Sequence, residues 1–446
     1  MATNAPTKSS MEVHVRWRPI SQSEAASGEL PRDTTLKDGH LSISLPKTGN
    51  NREWKSPPAF ASVFDRDNNG AVYKSIVAPD ISDVMQGGTC NYFAYGHSGS
   101  GKTHTIIGYD FDNDSTSLGL CLAAARQLFE SIGPLNADDS TAQLGIGFSL
   151  FELRRKKAYD LLNNRTECHI REGPDGKTHI RGETEMLPGG KVRVRPIVKQ
   201  PCWSLESLKQ ELITALGHRA VGSSSVHDQS SRTHAVLEFE IINQALVDAR
   251  QAVVERQSEL VPVGKRATDI SIEEQSKGYM TTADGIWVPN PEYTINQARI
   301  DAANAEKAEY EACVTAAEEE VTKILASSPS PCLGGKMVFV DLAGAEYHQE
   351  KGVQLSVPKQ TPQERQEGQQ INTDLLALKE VIRAWAENKP RIPFRNSALT
   401  MVLRENFRSG GRSKSAMIVT VSPAVEQYAA TLNSLKYGSL VGAASR

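Results

Sequence analysis

Short apolar runs along the chain predict buried strands. The run "TCNYFAY" (Thr89–Tyr95) is β-prone and leads directly into a glycine-rich segment. Two later runs, "AVLEFEII" (235–242) and "MVFVDLAGAE" (337–346), are similarly apolar, and the second passes into an aspartate and a glycine. Because a strand covered on both faces lacks polar alternation, we interpret the first run as a buried parallel strand.

A second pattern, apolar residues three and four positions apart, runs through residues 243–330. The positions with this spacing are Leu246, Ala249, Val253 and Leu260, then Ile300, Ala303, Tyr310, Val314, Ala317, Val321 and Ile324. Between the two sets, "GYMTTADGIWVPNPEY" (278–293) interrupts the pattern with glycine and proline. The spacing predicts two amphipathic helices, which we interpret as an antiparallel helical hairpin.

The composition is that of a globular protein and argues against several classes. The 446 residues are 39% hydrophobic and 23% charged with a net charge of −3, so nothing global points to nucleic acid or anionic membrane. Six cysteines lie far apart without a CxxC pair, which favours reduced thiols over disulfides or a zinc site. No signal peptide and no run of eighteen apolar residues is found. We expect a soluble cytoplasmic protein.

The segment "YGHSGSGKTHT" (95–105) contains the pattern G-x-x-x-x-G-K-[ST]. Its glycines let successive backbone N–H groups point into one concavity that suits phosphate oxygens, and a helix starting here would add its dipole. The lysine can reach the β- and γ-phosphates, and the last hydroxyl can ligate magnesium. The predicted nucleotide-binding residues are Gly96, His97, Ser98, Gly99, Ser100, Gly101, Lys102 and Thr103. A flexible Gly/Ser loop is the competing interpretation, which the preceding strand disfavours.

Two later segments carry residues suited to phosphate chemistry. "DQSSRTH" (228–234) places two serines beside an arginine in a polar loop. Asp341 ends a predicted strand, which is where a magnesium-associated acid lies in P-loop enzymes. Gly344 follows and could offer its N–H to a γ-phosphate. Alone, Asp341 could be a turn residue that ends a strand, but the upstream phosphate loop favours the magnesium role.

Taken in order, these motifs resemble a kinesin motor domain, and the resemblance covers most of the chain. The segments that carry it are "VHVRWRPI" (13–20), the glycine-rich loop, "SSRTH" (230–234), "DLAGAE" (341–346), "INTDLLALKEVIRAW" (371–385) and "RIPFRNSALTMVLRENF" (391–407). The resemblance implies a single motor domain over residues 1–446. Its expected fold is an α/β P-loop NTPase, with a central, mostly parallel sheet and helices on both faces.

The resemblance also assigns roles to individual residues. Arg16 and Pro19 would flank the adenine, and His104 would stack on its other side. Arg232 and Glu346 would form the ion pair that closes the site and positions the attacking water. The predicted catalytic residues are Lys102, Ser230, Ser231, Arg232, Gly344 and Glu346. The predicted magnesium ligands are Thr103, Ser231 and Asp341, the last through water.

The surface that would face tubulin departs from the family pattern. Arg395 is kept, but Thr373, Ala398 and Met401 stand where the family has cations. Further candidate contacts on a predicted strand are Lys191, Arg193 and Arg195. An edge strand guarded by charges explains those three residues equally well. Because tubulin is acidic, we expect weak, salt-sensitive microtubule binding.

Residues 243–330 are an insertion relative to the family, which has a short loop there. The insertion holds 15 acidic and 8 basic residues and so carries −7, which leaves +4 on the rest of the chain. We expect it to act on mechanical output or partner binding; a solvated decoration without function is the alternative. The segment that resembles switch I of the family, "HDQSSRTH" (227–234), also departs from the pattern, with His227 and Thr233 in place of asparagine and serine.

The expected function is magnesium-dependent hydrolysis of ATP to ADP, coupled to microtubule binding and conformational switching. The alternative is a nucleotide-gated microtubule- or partner-binding protein without motility, which the lost cations favour. A P-loop NTPase unrelated to microtubules is a third interpretation. Because no neck linker or coiled coil follows the last motif, we expect a monomer associated with the cytoskeleton.

Overall fold

The apolar runs form the centre of a large sheet. A computed structural model describes residues 11–22, 24–46, 53–65, 68–109, 111, 118–138, 143–173, 176–219, 232–281, 285–345, 362–408 and 413–445. The strands are β1 (Met11–Trp17), β2 (Asp33–Lys37), β3 (His40–Leu45), β4 (Trp54–Lys55), β5 (Ser62–Asp65), β6 (Thr89–Tyr95), β7 (Leu144–Arg154), β8 (Lys157–Asp160), β9 (Thr166–Glu172), β10 (Thr178–Met186), β11 (Val192–Pro196), β12 (Gln200–Cys202), β13 (His234–Asn243), β14 (Tyr279–Thr281), β15 (Trp287–Pro289), β16 (Lys336–Asp341) and β17 (Ser413–Val421).

The helices of the described chain range from one turn to nine. They are α1 (Asn69–Ile76), α2 (Ile81–Val84), α3 (Lys102–Ile106), α4 (Leu120–Asp138), α5 (Leu205–Arg219), α6 (Gln244–Lys277), α7 (Gln297–Ser327), α8 (Pro362–Ala386), α9 (Ala398–Val402), α10 (Arg404–Arg408) and α11 (Tyr428–Ala444). None of these helices is both long enough and apolar enough to cross a membrane.

The chain divides into two compact units, and the first holds the parallel strands of the large sheet and their neighbours as far as β9. Strands β5, β1, β17, β6 and β16 are neighbours in that order, and every pair among them is parallel. Beyond β16 the order within this unit continues through β13, β7, β8 and β9, where β13 pairs antiparallel with β16 and β8 with both β7 and β9. The predicted fold is confirmed as a large mixed sheet whose parallel part surrounds the strand that leads into the glycine-rich loop.

Side chains of β6 show why this strand is apolar throughout. All seven residues are buried, and neighbours along a strand point to opposite faces. Phe93 and Tyr95 stack on Phe407 and Tyr437 on the side that packs α8 and α11. Tyr92 stacks instead on Phe339 of β16. Both faces of the central sheet are therefore covered, as the uninterrupted apolar pattern requires.

The second unit consists of Arg181–Pro196 and Asn243–Pro329, so it includes a strand segment besides the predicted insertion. Helices α6 and α7 lie antiparallel, since Arg266 pairs with Glu306 at 3.1 Å and Glu274 with Arg299 at 2.7 Å. The stretch between them forms the β14–β15 hairpin instead of an irregular break. Of the apolar stripe on α7, only Ile300 and Ala303 are buried. The other positions of that stripe, Tyr310, Val314, Ala317, Val321 and Ile324, are half-buried, so ion pairs accompany a partly buried apolar face.

Candidate functional site

The glycine-rich loop joins β6 to α3 through a conformation that only glycine adopts readily. Gly99 and Gly101 have φ values of 74° and 98°. A Cβ atom on Gly96 would lie 2.2 Å from the carbonyl oxygen of Thr420. Three glycines of the motif are therefore required by backbone geometry alone. Helix α3 begins at Lys102 as predicted but ends at Ile106, so its dipole contribution is small.

The polar side chains of the loop divide into an inner and an outer set. His97 and Ser100 are 3% and 1% exposed, and the Ser100 hydroxyl lies 2.8 Å from that of Thr420 on β17. Burial lowers the pKa of His97 to about 4, so the ring is neutral at physiological pH. Ser98 and Gly99 are exposed at the outer edge of the loop. The loop is therefore anchored by the buried His97 and Ser100, and its outer edge at Ser98 and Gly99 is open to solvent.

Lys102 and Thr103, the first two residues of α3, both make contacts that involve the glycine-rich loop or Asp341. The Lys102 ammonium donates to the His97 carbonyl at 2.8 Å, and burial lowers its pKa to about 8. The Thr103 hydroxyl donates to Asp341 Oδ2 at 2.7 Å. The ladder between β6 and β16 aligns Asp341 with Ala94, which explains this meeting of residues 238 positions apart.

The segment that follows β16 packs against the glycine-rich loop. The Ala345 N–H donates to the Gly96 carbonyl at 3.2 Å. A Cβ atom on Gly344 would lie 2.9 Å from the backbone nitrogen of Ser98. Any other residue at position 344 would push the two backbones apart. Glycine at this position therefore permits the close approach of the two segments.

The structure also shows an arginine that sequence reasoning missed. Arg219, the last residue of α5, donates through Nε to Glu152 at 2.9 Å and through Nη1 and Nη2 to Asp341 at 3.2 Å. The Thr233 hydroxyl donates to Glu152 at 2.9 Å. Burial would lower the pKa of Arg219, but the two carboxylates outweigh it and raise that pKa. Nothing in the local sequence marks this arginine, because its partners lie 67 and 122 residues away.

The residues predicted to contact the adenine differ in their exposure to solvent. Arg16 is 4% exposed and its Nη1 donates to Thr105 Oγ1 at 2.6 Å, so it anchors α3. Pro19 is exposed, and His104 is half-buried with its ring 5.6 Å from that of Tyr109. Burial, then the nearby Arg16, lowers the pKa of His104, which places both residues in one neighbourhood.

A second missed residue, Arg18, contacts the glycine-rich loop directly. Its Nε donates to the Gly99 carbonyl at 2.9 Å, and its Nη2 pairs with Glu24. This hydrogen bond from Arg18 lowers the pKa of Glu24 to about 2. The sequence carried one signal for this residue, because "RWRP" contains a second arginine two positions after Arg16, directly after the end of β1.

Several predicted residues lie outside the part of the chain that the structure describes. They are His227, Ser230, Ser231 and Glu346. Arg232 is described and lines a cavity of about 10 Å³ together with His234 and Asp374. The ion pair predicted between Arg232 and Glu346 therefore stays a prediction.

A magnesium ion fits the donors present only if phosphate and water complete its shell. Asp341 Oδ1 is buried and accepts no hydrogen bond from any described residue, and Thr103 lies beside the same carboxylate. Among the described residues, no group of three His, Cys, Asp or Glu side chains could hold a metal ion. One hydroxyl plus a carboxylate that acts through water suits magnesium, which keeps several waters.

Comparison with known proteins decides the family. The kinesin motor domain model matches residues 16–263 and 313–443. The chain belongs to the kinesin motor domain family. Kinesin motor domains are ATPases, so the predictions of family and enzyme class are confirmed. The unmatched residues 264–312 lie inside the predicted insertion and are fewer than its 88 positions.

Solved structures resemble the fold over nearly the whole chain. A fast kinesin, analysed for its ATPase mechanism and interactions with microtubules, is 20% identical with a TM-score of 0.61, and the match covers 98% of this chain and 92% of that one. Mutants from studies of a signalling pathway that activates the kinesin motor ATPase are 21% identical, with TM-scores of 0.58 and 0.57. Each of those matches covers 97% of this chain and 99% of the other. At these identities, the likeness supports the kinesin motor fold alone.

In this kinesin motor domain the cations predicted to face tubulin all have carboxylate partners. Arg395 donates through Nε and Nη2 to Glu172, both at 2.8 Å, and Arg404 binds the same carboxylate at 2.9 Å. These two arginines lower the pKa of Glu172 to about 2. In the second unit, Lys191 pairs with Glu259 at 3.1 Å, while Arg193 and Arg195 lie 3.6 and 2.5 Å from Glu185. The sequence showed the cations but not their partners.

Proposed function

We propose that this kinesin motor domain hydrolyses ATP with magnesium and couples its nucleotide state to microtubule binding. The observation that carries the proposal is the convergence of three segments at one point. The glycine-rich loop, Asp341 and Gly344 meet there, with Thr103 2.7 Å from Asp341 and room at residue 344 only for glycine. This geometry supports a phosphate cradle with a γ-phosphate sensor beside it.

Each residue then has a defined task in phosphoryl transfer to water. Lys102 moves from the His97 carbonyl to the β- and γ-phosphates, and the backbone N–H groups of the loop bind phosphate oxygens. Gly344 donates its N–H to the γ-phosphate. Magnesium, held by Thr103 and through water by Asp341, would neutralise charge on the phosphates. Positioning and charge neutralisation are what this reaction requires of the protein.

The proposed roles of the switch I residues come from the sequence resemblance. Ser230 and Ser231 would approach the γ-phosphate and magnesium, and Arg232 with Glu346 would close the site around the attacking water. Pro19 and His104 would contact the adenine, with Arg16 supporting α3 beneath it. Ordering of the switches around a γ-phosphate and their release after hydrolysis would change the microtubule-binding surface.

The Lys102→Ala variant tests the nucleotide site. It removes the charge that meets the β- and γ-phosphates and leaves the glycine backbone intact, so ATP turnover should be abolished. Steady-state release of phosphate, with and without microtubules, measures this effect. Lys74→Ala is a matched control, because this lysine is exposed on α1. Near-normal turnover in the Lys102 variant would contradict the assignment.

A second candidate function is a nucleotide-gated microtubule-binding protein without motility. The observation that favours it is the engagement of Arg395 by Glu172, which reduces the positive charge available to acidic tubulin. Co-sedimentation with microtubules at low and high salt, together with filament gliding, separates the two functions. Binding that depends on nucleotide without gliding would support the second function, and sustained gliding would support the first.

A further inference from the structure

A buried histidine connects the γ-phosphate sensor segment to the rest of the motor. His234 is the first residue of β13 and is 2% exposed. Its Nδ1 accepts a hydrogen bond from the N–H of Ala343 at 3.0 Å. Ala343 directly precedes Gly344, so any displacement of this segment toward a γ-phosphate acts on the imidazole ring.

The acceptor role of Nδ1 determines where the imidazole proton lies. A ring nitrogen that accepts from an amide carries no proton, so the neutral ring has its proton on Nε2. That Nε2 is buried and has no hydrogen-bond partner among the described residues. A buried donor without a partner is unfavourable, so this group gains when an acceptor comes within reach.

An acceptor lies just beyond hydrogen-bond distance on helix α8. Asp374 Oδ2 is 3.8 Å from His234 Nε2, whereas N–H···O bonds are about 2.7–3.2 Å long. Asp374 is 4% exposed, and its Oδ1 accepts from Gln370 Nε2 at 3.0 Å, which leaves Oδ2 facing the histidine. Both side chains line the cavity of about 10 Å³, so a relative shift of less than about 1 Å suffices to close the gap.

The start of α8 is attached to the sheet by a separate contact. Glu367 is 5% exposed and binds Arg154, the last residue of β7, at 2.8 Å and Arg155, in the turn that follows, at 3.2 Å. Asp374 lies two turns further along the same helix. A small rotation of α8 about the attached end can therefore open or close the gap to His234 without breaking these ion pairs.

We propose that His234 and Asp374 form a two-position contact through which γ-phosphate binding at Ala343–Gly344 positions helix α8. The contact is open at 3.8 Å in the structure described and becomes a hydrogen bond when the sensor segment moves. His234 and Asp374 are positioning residues, since neither touches nucleotide. The inference rests on the proposed role of Gly344 as γ-phosphate sensor, and it identifies the side chains that carry the signal onward.

Hydrogen exchange of α8 tests the proposal without microtubules. Amide exchange across residues 366–386 is compared between the ADP state and a state with a non-hydrolysable ATP analogue. The wild type should show a difference between the two states. Asp374→Ser removes the acceptor yet leaves a hydroxyl for Gln370, and it should abolish the difference. Asp374→Asn keeps an oxygen that can accept from Nε2, and it should restore the difference.

Controls separate this coupling from a structural effect. Gln369→Ala alters an exposed residue on the same helix and should behave like wild type. ADP affinity should be unchanged in all variants, while the ratio of microtubule affinities in the ATP-analogue and ADP states should fall at least about fivefold in Asp374→Ser, the lower end of usual coupling. Should Asp374→Ser not fold, Asp374→Asn paired with His234→Phe provides the same comparison.

Each outcome decides between the two levels of the proposal. A wild-type exchange difference that persists in Asp374→Ser overturns the His234–Asp374 contact and leaves the ATPase proposal intact. Nucleotide binding without any response of α8 in the wild type also overturns it. Failure of the wild type to bind the ATP analogue removes the proposed function, and this inference with it.

Discussion

Replacing Arg219 with methionine perturbs the buried charge network next to the candidate magnesium site. The Arg219 side chain is 6% exposed, and those of Glu152 and Asp341 are 2% exposed each. Methionine approximates the length of the side chain but carries no charge. The substitution therefore leaves two buried carboxylates without the cation that lies between them.

The expected loss of stability depends on which groups still compensate the charges of Glu152 and Asp341. Removing one partner of a buried ion pair costs roughly 3–5 kcal/mol, because the other charge stays buried and uncompensated. Here Thr233 still donates to Glu152 at 2.9 Å, Arg165 Nε still lies 3.5 Å from the same carboxylate, and Thr103 still donates to Asp341 at 2.7 Å. We therefore expect the free energy of unfolding to fall by about 3 kcal/mol, the lower end of that range.

Urea unfolding followed by circular dichroism measures this loss, provided that the slope against urea is unchanged. Arg383→Met is the matched control: its ion pair with Glu380 is exposed, with side chains 50% and 34% exposed. An exposed pair contributes at most about 1 kcal/mol, so the control should change little. A loss at Arg219 no larger than that of the control would refute the argument that burial makes this network costly to break.

Three further predictions concern separate parts of the chain. Glu172→Gln should release Arg395 and Arg404 and tighten microtubule binding in co-sedimentation; unchanged affinity would place the contact elsewhere. Glu24 has its pKa lowered from 4.5 to about 2, so the stability it contributes should be complete above pH 4.5 and lost toward pH 2. Urea titrations of wild type and Glu24→Gln should converge at low pH, and a pH-independent gap would contradict this. Replacing residues 244–327 with a short Gly/Ser linker should keep basal ATPase within a few-fold of wild type, and its collapse in a folded variant would show that the insertion supports the active site.

Local patterns in the sequence determined the phosphate loop, the family and the two long helices. The motif from Gly96 to Thr103 depends on backbone conformation within eight residues, and the positive φ of Gly99 and Gly101 follows from that local requirement. Similarly, the 3-4 spacing in 243–330 predicts helices because it reflects the pitch of a single element. Both inferences need no knowledge of distant residues.

Tertiary structure alone decided which charges meet. Arg219 reaches Asp341 across 122 residues, and Arg395 reaches Glu172 across 223. Whether a cation is available to tubulin or held by a carboxylate depends on strand order, and no local pattern records that order. Contacts between distant segments also determine that parallel pairing ends at β16, whose other neighbour, β13, is antiparallel. An apolar run predicts a buried strand but not the direction of the strand beside it. Periodicity and motifs report the conformation of one segment, whereas charge pairing and sheet direction are set by contacts between segments far apart in the chain.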